Sequence, residues 1–297
     1  MLVSAKQQGI ALIQVLLITA ILSVLALYLT STAKDQVKVA QWQDDKSVAL
    51  VAVHSAEAEL LYTLLVNSKL QNANSANSTS NIIKNWNFFD KSFVINEQVN
   101  ANIQDQTALI HAHFPDAKVL KAFIAFTGYP EKDVNVIYDN LLDWQDIDNI
   151  PRINGDESLT ALSQIRNGAV PDLHDFSFVN NMTAELFEGL LKNTTLYGQG
   201  FFNPMNSSKA LLSAITNVQI AEQVIQLREQ GQLTSIQFSQ LTGIVESNKI
   251  LLYPSNILAI ELEGKSGISV VRKQTIIELN PYADEYNTPI NILSSRG

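Results

Sequence analysis

Apolar residues at the start of the chain form a continuous run rather than an alternating pattern. No charged side chain occurs in residues 7–33, and residues 10–29 consist almost entirely of Leu, Ile, Val and Ala. A helix of about 20 such residues is about 30 Å long, which matches the hydrocarbon thickness of a bilayer. The pattern predicts a transmembrane helix over residues 10–30.

The helical pattern continues beyond this apolar run. Apolar positions recur among charged ones, and neither Gly nor Pro occurs in residues 10–66. Because nothing in this stretch breaks a helix, the sequence predicts one long helix whose second part, residues 31–66, packs on a sheet. Residues 67–81 are rich in Asn and Ser and poor in apolar side chains, which predicts a loop.

Alternating apolar positions predict two β-hairpins on either side of a helical block. The first hairpin comprises residues 93–103 and 108–114, and the second comprises 257–262 and 268–277. Between them, apolar residues recur at helical spacing in 119–126, 132–142, 184–191, 208–215 and 219–230. The predicted class is therefore α+β, with a long N-terminal helix packed on a small antiparallel sheet and a large all-helical domain inserted into that sheet.

Composition narrows the classes of function. The chain has 297 residues, of which 16% are charged and 46% are hydrophobic, and its formal net charge is −9. An acidic chain lacks the basic surface that neutralises phosphates, so we expect no nucleic-acid partner. The absence of cysteine excludes disulfide scaffolds, thiolate metal sites and cysteine nucleophiles.

Three interpretations of the N-terminus compete. A cleaved secretory signal would end at residues 31–33, although the apolar run is longer than the roughly 7–15 residues usual for one. A plain signal anchor would keep the helix. The third interpretation rests on Gln8-Gly9 followed at once by an apolar helix from Ile10, which resembles the leader of type IV pilins and pseudopilins. In that family, a prepilin peptidase cleaves after the glycine on the cytoplasmic side, and Lys6 before the run favours a cytoplasmic N-terminus.

Gln14 departs from the usual pattern of that family. Most members carry a glutamate four residues after the first mature residue, and cleavage between Gly9 and Ile10 would put Gln14 at this position. The glutamate is thought to neutralise the terminal amine of a neighbouring subunit, because a buried amine needs a charged partner. A subunit without this acid would suit the tip of a filament.

Further segments resemble the protein K family of minor pseudopilins in the type II (general) secretion pathway. They are a strand–turn–strand segment at 102–111, the run Asp143-Trp144-Gln145-Asp146-Ile147-Asp148 closed by Gly155-Asp156-Glu157, a helix start at 202–212 and Arg228 at the end of the next helix. The resemblance implies a non-enzymatic subunit at the tip of a pseudopilus, which helps to initiate its assembly. It also implies minor pseudopilins I and J as partners, processing by prepilin peptidase, and bound calcium.

The same resemblance implies a single pass through the inner membrane, with the C-terminal domain in the periplasm and a sterile-alpha-motif-like helical domain. The expected segments are a leader at 1–9, the transmembrane and periplasmic parts of the helix at 10–30 and 31–66, a linker at 67–81, the two sheet parts at 82–115 and 251–282, the helical domain at 116–250 and a C-terminal tail at 283–297.

Acidic residues crowd into fifteen positions of the predicted helical domain: Asp143, Asp146, Asp148, Asp156 and Glu157. Calcium takes six to eight oxygen ligands, and aspartates at alternate loop positions commonly supply them. An EF-hand is excluded because Pro151 stands where that loop requires glycine. The alternative is that Asp143 caps a helix end and the other acids form a solvated turn.

Other candidate chemistry is weaker. His111 and His113 would share one face of a strand, but no third ligand suggests a zinc site. Residues 211–228 resemble a helix-hairpin-helix whose turn lacks the glycine of DNA-binding versions, so a packing role is expected. No Gly-x-Ser-x-Gly, HExxH or phosphate-binding glycine loop occurs, so we predict no enzyme. A minor type IV pilin, normally with paired cysteines, and a signal-anchored periplasmic protein of unknown activity remain as alternatives.

Overall fold

A computed structural model describes residues 8–70, 78–157, 166–198 and 200–297. Its helices are α1 Gln8–Val66, α2 Asn81–Asn85, α3 Ala117–Phe126, α4 Glu131–Asp143, α5 Ala184–Asn193, α6 Lys209–Ile215, α7 Val218–Glu229 and α8 Ser235–Thr242. Its strands are β1 Phe93–Val94, β2 Val99–Asp105, β3 Ile110–His111, β4 Thr194–Thr195, β5 Ile257–Ser266, β6 Ser269–Leu279 and β7 Ile290–Arg296. Short 3₁₀ helices cover Gln106–Ala108, Leu173–Phe178 and Pro204–Asn206.

Five of the strands form one antiparallel sheet in the order β1-β2-β5-β6-β7. Strands β2 and β5 lie side by side, with Ile103 opposite Ile260, although helices α3 to α8 intervene in the sequence. The helical region is therefore an insertion into the sheet. This arrangement confirms the predicted α+β class with a long helix on a small antiparallel sheet.

Helix α1 packs on the sheet only along its second half. Its buried apolar side chains recur every three or four residues, as expected of one helix face, and are Ala49, Val53, Ala56, Leu60 and Leu64. Val53, Ala56, Leu60 and Leu64 join one hydrophobic core with Ile103, Leu258 and Ile277 of the sheet. By contrast, the large apolar side chains of residues 10–29 are 50–71% exposed.

Strand β5 makes its closest approach to α1 at Gly264. A Cβ atom on Gly264 would lie 2.5 Å from Val53 Cγ2 and 3.0 Å from the Ala49 carbonyl oxygen. The turn that follows β5 also touches α1, because a Cβ atom on Gly267 would lie 2.1 Å from Asp45 Oδ2. Glycine at these positions lets the β5–β6 hairpin lie flat against the helix.

The first predicted hairpin is wrong in its second strand. Strand β2 pairs with β1 and β5, and β3 instead pairs in parallel with β4 in a separate two-stranded sheet. The cause is Asp105, whose Oδ1 accepts the Thr107 N–H at 3.1 Å and the Thr107 Oγ1 hydroxyl at 2.8 Å. This cap starts the Gln106–Ala108 3₁₀ helix, which turns the chain out of the sheet.

Other elements also differ from the sequence prediction. The segment 283–297, predicted as a tail, contains β7, which pairs with β6. The pattern along β7 does not alternate cleanly because neither of its faces is fully buried. Helix α8 was not predicted, yet Thr234 and Gln237 form a capping box and Gly243 ends the helix in a left-handed conformation. The inserted region also holds β3 and β4, so it is mainly rather than wholly helical.

The inserted helices enclose two hydrophobic clusters of their own. One is built around Phe123, Leu186 and Leu211, and the second around Val224 and Phe238. Side-chain caps begin several of these helices, including Asp116 for α3, which accepts the Lys118 N–H at 2.9 Å.

Buried Asp105 joins the sheet to this region. Each of its oxygens accepts three hydrogen bonds, and the donors are the backbone and side chain of Thr107, the backbone and side chain of Ser255, and the amides of Asn203 and Asn206. Asp105 is completely buried, so this network fixes the helical insertion to the end of β2.

Candidate functional site

The acidic loop begins where helix α4 ends. Asp143 is the last residue of α4 and is completely buried. The chain returns to it nine residues later, where the Arg152 N–H donates to Asp143 Oδ2 at 3.1 Å. Gly155 permits this return, because a Cβ atom there would lie 1.8 Å from Asp143 Oδ2. The loop therefore folds back over the Asp143 carboxylate.

Three of the five predicted acids come together at this point. One carboxylate oxygen from each of Asp143, Asp146 and Glu157 lies within 4.8 Å of the other two. Asp148 and Asp156 lie outside this group. Asp148 instead accepts the Ile150 N–H at 2.9 Å, and Asp156 Oδ2 accepts the Asn180 amide at 3.4 Å.

Arg152 supplies the positive charge of the cluster. Its Nη1 contacts Asp143 Oδ1 and Asp146 Oδ2, and both are ion pairs. Partial burial alone would lower the pKa of Arg152, but the hydrogen bonds to these two carboxylates outweigh it and raise the pKa. Arg152 thus neutralises part of the acidic group and competes with any cation that would bind there.

Glu157 has no such partner in the described part of the chain. Both of its carboxylate oxygens are inaccessible to solvent and lack a hydrogen-bond donor among the described residues, as does Asp146 Oδ1. Loss of solvation and the nearby charges of Asp146 and Asp143 raise the pKa of Glu157. Carboxylate oxygens without donors cost free energy, and a divalent cation would relieve this cost.

The residues present fit calcium in their chemistry. Three carboxylates offer up to six oxygens, which is the lower end of the coordination number of Ca²⁺. The unpartnered oxygens of Asp146 and Glu157 are the ones that Arg152 leaves free. Asp143, Asp146 and Glu157 would therefore hold such an ion, and Arg152 is the side chain that it would have to displace or accommodate.

The residues of the predicted leader site and assembly position lie at the start of α1. Residues 1–7 of the predicted leader are outside the described residues, and Gly9 and Ile10 lie in the first turn of the helix. Ile10 is 60% exposed, and Gln14 is exposed one turn further on. One helix of this chain, Ile10–Val66, is long and apolar enough to cross a membrane.

The two histidines considered for zinc have structural partners. His111 Nδ1 accepts the N–H groups of His113 and Phe114, each at 3.1 Å, which leaves Nε2 to donate to the Gly198 carbonyl at 3.2 Å. His113 Nε2 lies 2.9 Å from the Val170 carbonyl oxygen and donates to it. Both rings thus connect the β3 region to loops of the helical insertion.

Comparison with known proteins finds similarity among the solved structures. No protein-family model matches the chain, and no curated protein matches it. Among solved structures, the chain matches GspK in the crystal structure of the GspK-GspI-GspJ complex from the type 2 secretion system of enterotoxigenic Escherichia coli. The match covers 89% of this chain and 98% of that chain, with a TM-score of 0.52 and 14% identity.

The fold is similar to that of GspK. Since the match covers 89% of this chain, most of the elements described above lie within it. The resemblance to protein K that the sequence motifs indicated is thereby confirmed at the level of the fold.

Proposed function

We propose that this protein is a minor pseudopilin of a type II secretion system, with a structural rather than enzymatic role. The observation that carries the proposal is the similarity of fold to GspK over nearly the whole of both chains. The exposed apolar half of α1 supports it, because such a surface is stable only in a membrane or against other apolar helices. The body of the protein would then lie in the periplasm, with one pass through the inner membrane.

The N-terminus tests the membrane part of this proposal. We expect prepilin peptidase to cleave after Gly9, so that N-terminal sequencing of the mature protein begins at Ile10, which would be methylated. A mature start at Lys34 would instead identify an ordinary secreted protein. An unprocessed start in a strain with active peptidase would identify a plain signal anchor.

The periplasmic part of α1 is the surface that we assign to minor pseudopilins I and J. On the side turned away from the sheet, Val51 is 65% exposed and Tyr62 is 67% exposed. A charge placed there would have to be desolvated on association. We expect Val51→Asp or Tyr62→Asp to abolish co-purification with both partners.

Ile236→Asp is the matched control, since Ile236 is 69% exposed but lies on α8 in the helical insertion. Loss of co-purification in the control as well would mean that general instability, and not this helix face, explains the result. Unchanged co-purification of the α1 variants would contradict the assignment.

We propose the tip of the pseudopilus as the position of this subunit. Gln14 cannot neutralise the terminal amine of a subunit above it, which stops growth in that direction. The helical insertion joins β5 near Ser255, which Lys69 contacts just past the end of α1, so it adds bulk at the end of the body far from residues 10–29. We expect Gln14→Glu to reduce secretion and Gln14→Asn to leave it unchanged. Normal secretion by the Gln14→Glu variant would mean that the bulk alone excludes further subunits.

Calcium at Asp143, Asp146 and Glu157 is the remaining part of the proposal. We expect calcium to raise the thermal unfolding midpoint of the full chain in nanodiscs, and a chelator to reverse the increase. Asp146→Asn and Glu157→Gln should each abolish this response. Glu131→Gln is the matched control, because Glu131 is an exposed acid at the start of α4, at the opposite end of that helix from Asp143. A wild-type midpoint that calcium does not change would overturn the site.

We expect Arg152→Gln to lower stability without calcium but to raise the affinity for calcium. The thermal unfolding midpoint of the calcium-free protein should fall, because Asp143 and Asp146 lose their positively charged partner. The same change should tighten calcium binding severalfold, as measured by titration with a fluorescent competitor chelator. Weaker calcium binding in this variant would show that Arg152 helps to build the site.

A further inference from the structure

A cavity of about 310 Å³ lies between the sheet and the helical insertion. Lys69 and Phe89 line it from the side of the sheet, and Arg228, at the end of α7, and Leu233 line it from the insertion. This volume is at the lower end of the range for small-molecule sites, which often lie between two structural units.

The charges that line this cavity are of one sign. Lys69 and Arg228 face it, and no Asp or Glu belongs to its described lining. This is notable in a chain whose formal net charge is −9. Most of the remaining wall is apolar and includes Phe88, Met205 and Leu252. The cavity therefore offers a positive region beside a hydrophobic one.

Arg228 is held in place by neutral groups. Its Nη1 donates to the carbonyl oxygens of Met205 at 3.0 Å and Ser207 at 2.7 Å, and its Cζ lies 4.2 Å from the centre of the Phe89 ring. Its Nε is buried without an acceptor among the described residues. Burial lowers the pKa of Arg228 to about 10. The guanidinium is thus fixed in position but has no carboxylate partner in the described structure.

Lys69 is a second cation in a similar state. Its ammonium donates to the Ser255 carbonyl and to Asn256 Oδ1, which are both neutral. Burial lowers the pKa of Lys69 to about 8, and the more distant charge of Asp105 opposes this shift only in part. Two partly desolvated cations thus lie at one cavity, and no anionic side chain in its described lining neutralises them.

We propose that this cavity binds a small carboxylate with an apolar body. The carboxylate would pair with the two cations, Arg228 and Lys69, because hydrogen bonds between ionised groups are stronger than those between neutral groups. The apolar body would lie against Phe88, Leu233 and Leu252. A ligand of this kind would bridge the sheet and the helical insertion and stabilise their relative position. The proposal is independent of the secretion role, because it rests only on the lining of the cavity.

The test uses the full chain in nanodiscs and three probes with one common body. The probes are 4-fluorophenylacetate, 2-(4-fluorophenyl)ethanol and 4-fluorophenethylamine, and ¹⁹F line broadening reports binding. We expect the acid to bind at least tenfold more tightly than the alcohol, and the amine not to bind. Equal broadening of all three probes would overturn the proposal.

Two variants locate the binding within the molecule. Lys69→Gln removes one cation, and Leu233→Trp fills the apolar end without changing the charge. Each should reduce the affinity for 4-fluorophenylacetate at least tenfold, whereas Lys249→Gln, at an exposed lysine in the segment after α8 and outside the described lining, should not. Binding by the first two variants as tight as that of the wild type would overturn the assignment, and circular dichroism confirms that each variant is folded.

Discussion

At the scale of single residues, Asp105 shows how a fully buried carboxylate can stabilise this fold. Six donors surround its two oxygens, and they come from Thr107 just after β2, from Ser255 just before β5, and from Asn203 and Asn206 within the insertion. A buried charge is costly unless each lone pair is satisfied, and here the hydrogen bonds meet that condition. The network is therefore specific for a carboxylate and would not accept its isosteric amide.

We expect Asp105→Asn to lower the free energy of unfolding by about 2–4 kcal/mol, because the new NH₂ group would face donors instead of acceptors. Thermal unfolding followed by circular dichroism measures the loss. Asp148→Asn provides the control, since Asp148 is an exposed acid with a single local hydrogen bond. Equal midpoints for the two variants would contradict the structural role of Asp105.

His111 makes stability depend on pH. Burial lowers the pKa of His111 below the ordinary 6.5, the bond to the Gly198 carbonyl opposes this change, and His113 adds to it. The unfolded chain therefore takes up a proton near pH 6.5 while the folded chain does not, so stability falls as the pH drops below that value. We expect His111→Asn to remove part of this acid sensitivity. Thermal midpoints measured across pH 5–8 test this, and an acid sensitivity equal to that of the wild type would contradict the role of His111.

The acidic loop shows which features of a site residue spacing predicts and which features it does not. The sequence indicated five crowded acids as a metal site, and three of them, Asp143, Asp146 and Glu157, come together in the structure. The turn that directs Asp148 to the Ile150 N–H depends on local backbone angles, which spacing alone does not give. The position of Arg152 between two carboxylates likewise follows from the return of the loop past Gly155.

At the scale of elements, the contact between α1 and β5 depends on one missing side chain. We expect Gly264→Ala to lower the free energy of unfolding by about 1–3 kcal/mol, because the new methyl group would overlap Val53 and the Ala49 carbonyl. Adding Val53→Ala should recover part of this loss by making room, which a double-mutant cycle of thermal midpoints would detect.

Gly168→Ala is the control for this change, since a Cβ atom there has no neighbour closer than 4.0 Å. Purely additive effects of the Gly264→Ala and Val53→Ala changes would contradict the close approach of the two elements.

Elements with a strong periodic pattern were predicted well from the sequence. The long helix, the β5–β6 hairpin and helices α3 to α7 all lie where apolar spacing indicated them. The pairing of β2 with β5 was not predictable in the same way. The sequence pattern suggested that β2 pairs with the segment that follows it, and the pattern carries no information about a strand far along the chain. Strand β7 was missed because its half-exposed positions carry no alternation.

At the scale of the whole molecule, the core does not depend on the first part of α1. The first buried side chain of the described residues is Ala49, and residues 10–44 contribute no buried position. We expect a chain that begins at Lys34 to fold in water, with a thermal midpoint close to that of the full chain in nanodiscs.

A chain that begins at Tyr62 should not fold, because it lacks Val53, Ala56 and Leu60 from the core of the sheet. Folding of this shorter chain would contradict the role of α1 as part of the core. The two parts of α1 could be told apart in the sequence because their apolar residues are distributed differently. In residues 10–29 they are continuous and exposed, whereas further along they lie on one buried face of the helix.

The uninterrupted helix α1 also fixes the distance between the exposed apolar run and the first buried residue of the core. From Leu29, at the end of the apolar run, to Ala49, the first buried residue, the helix rises about 30 Å. A body anchored in a bilayer through residues 10–29 is thus held clear of the lipid headgroups by a rigid spacer. If this spacer tilts by about 20°, as membrane helices commonly do, the body sweeps sideways by roughly 10 Å. Under the proposed function, this reach would let the protein meet neighbouring subunits in the plane of the membrane without bending or unfolding any part of its core.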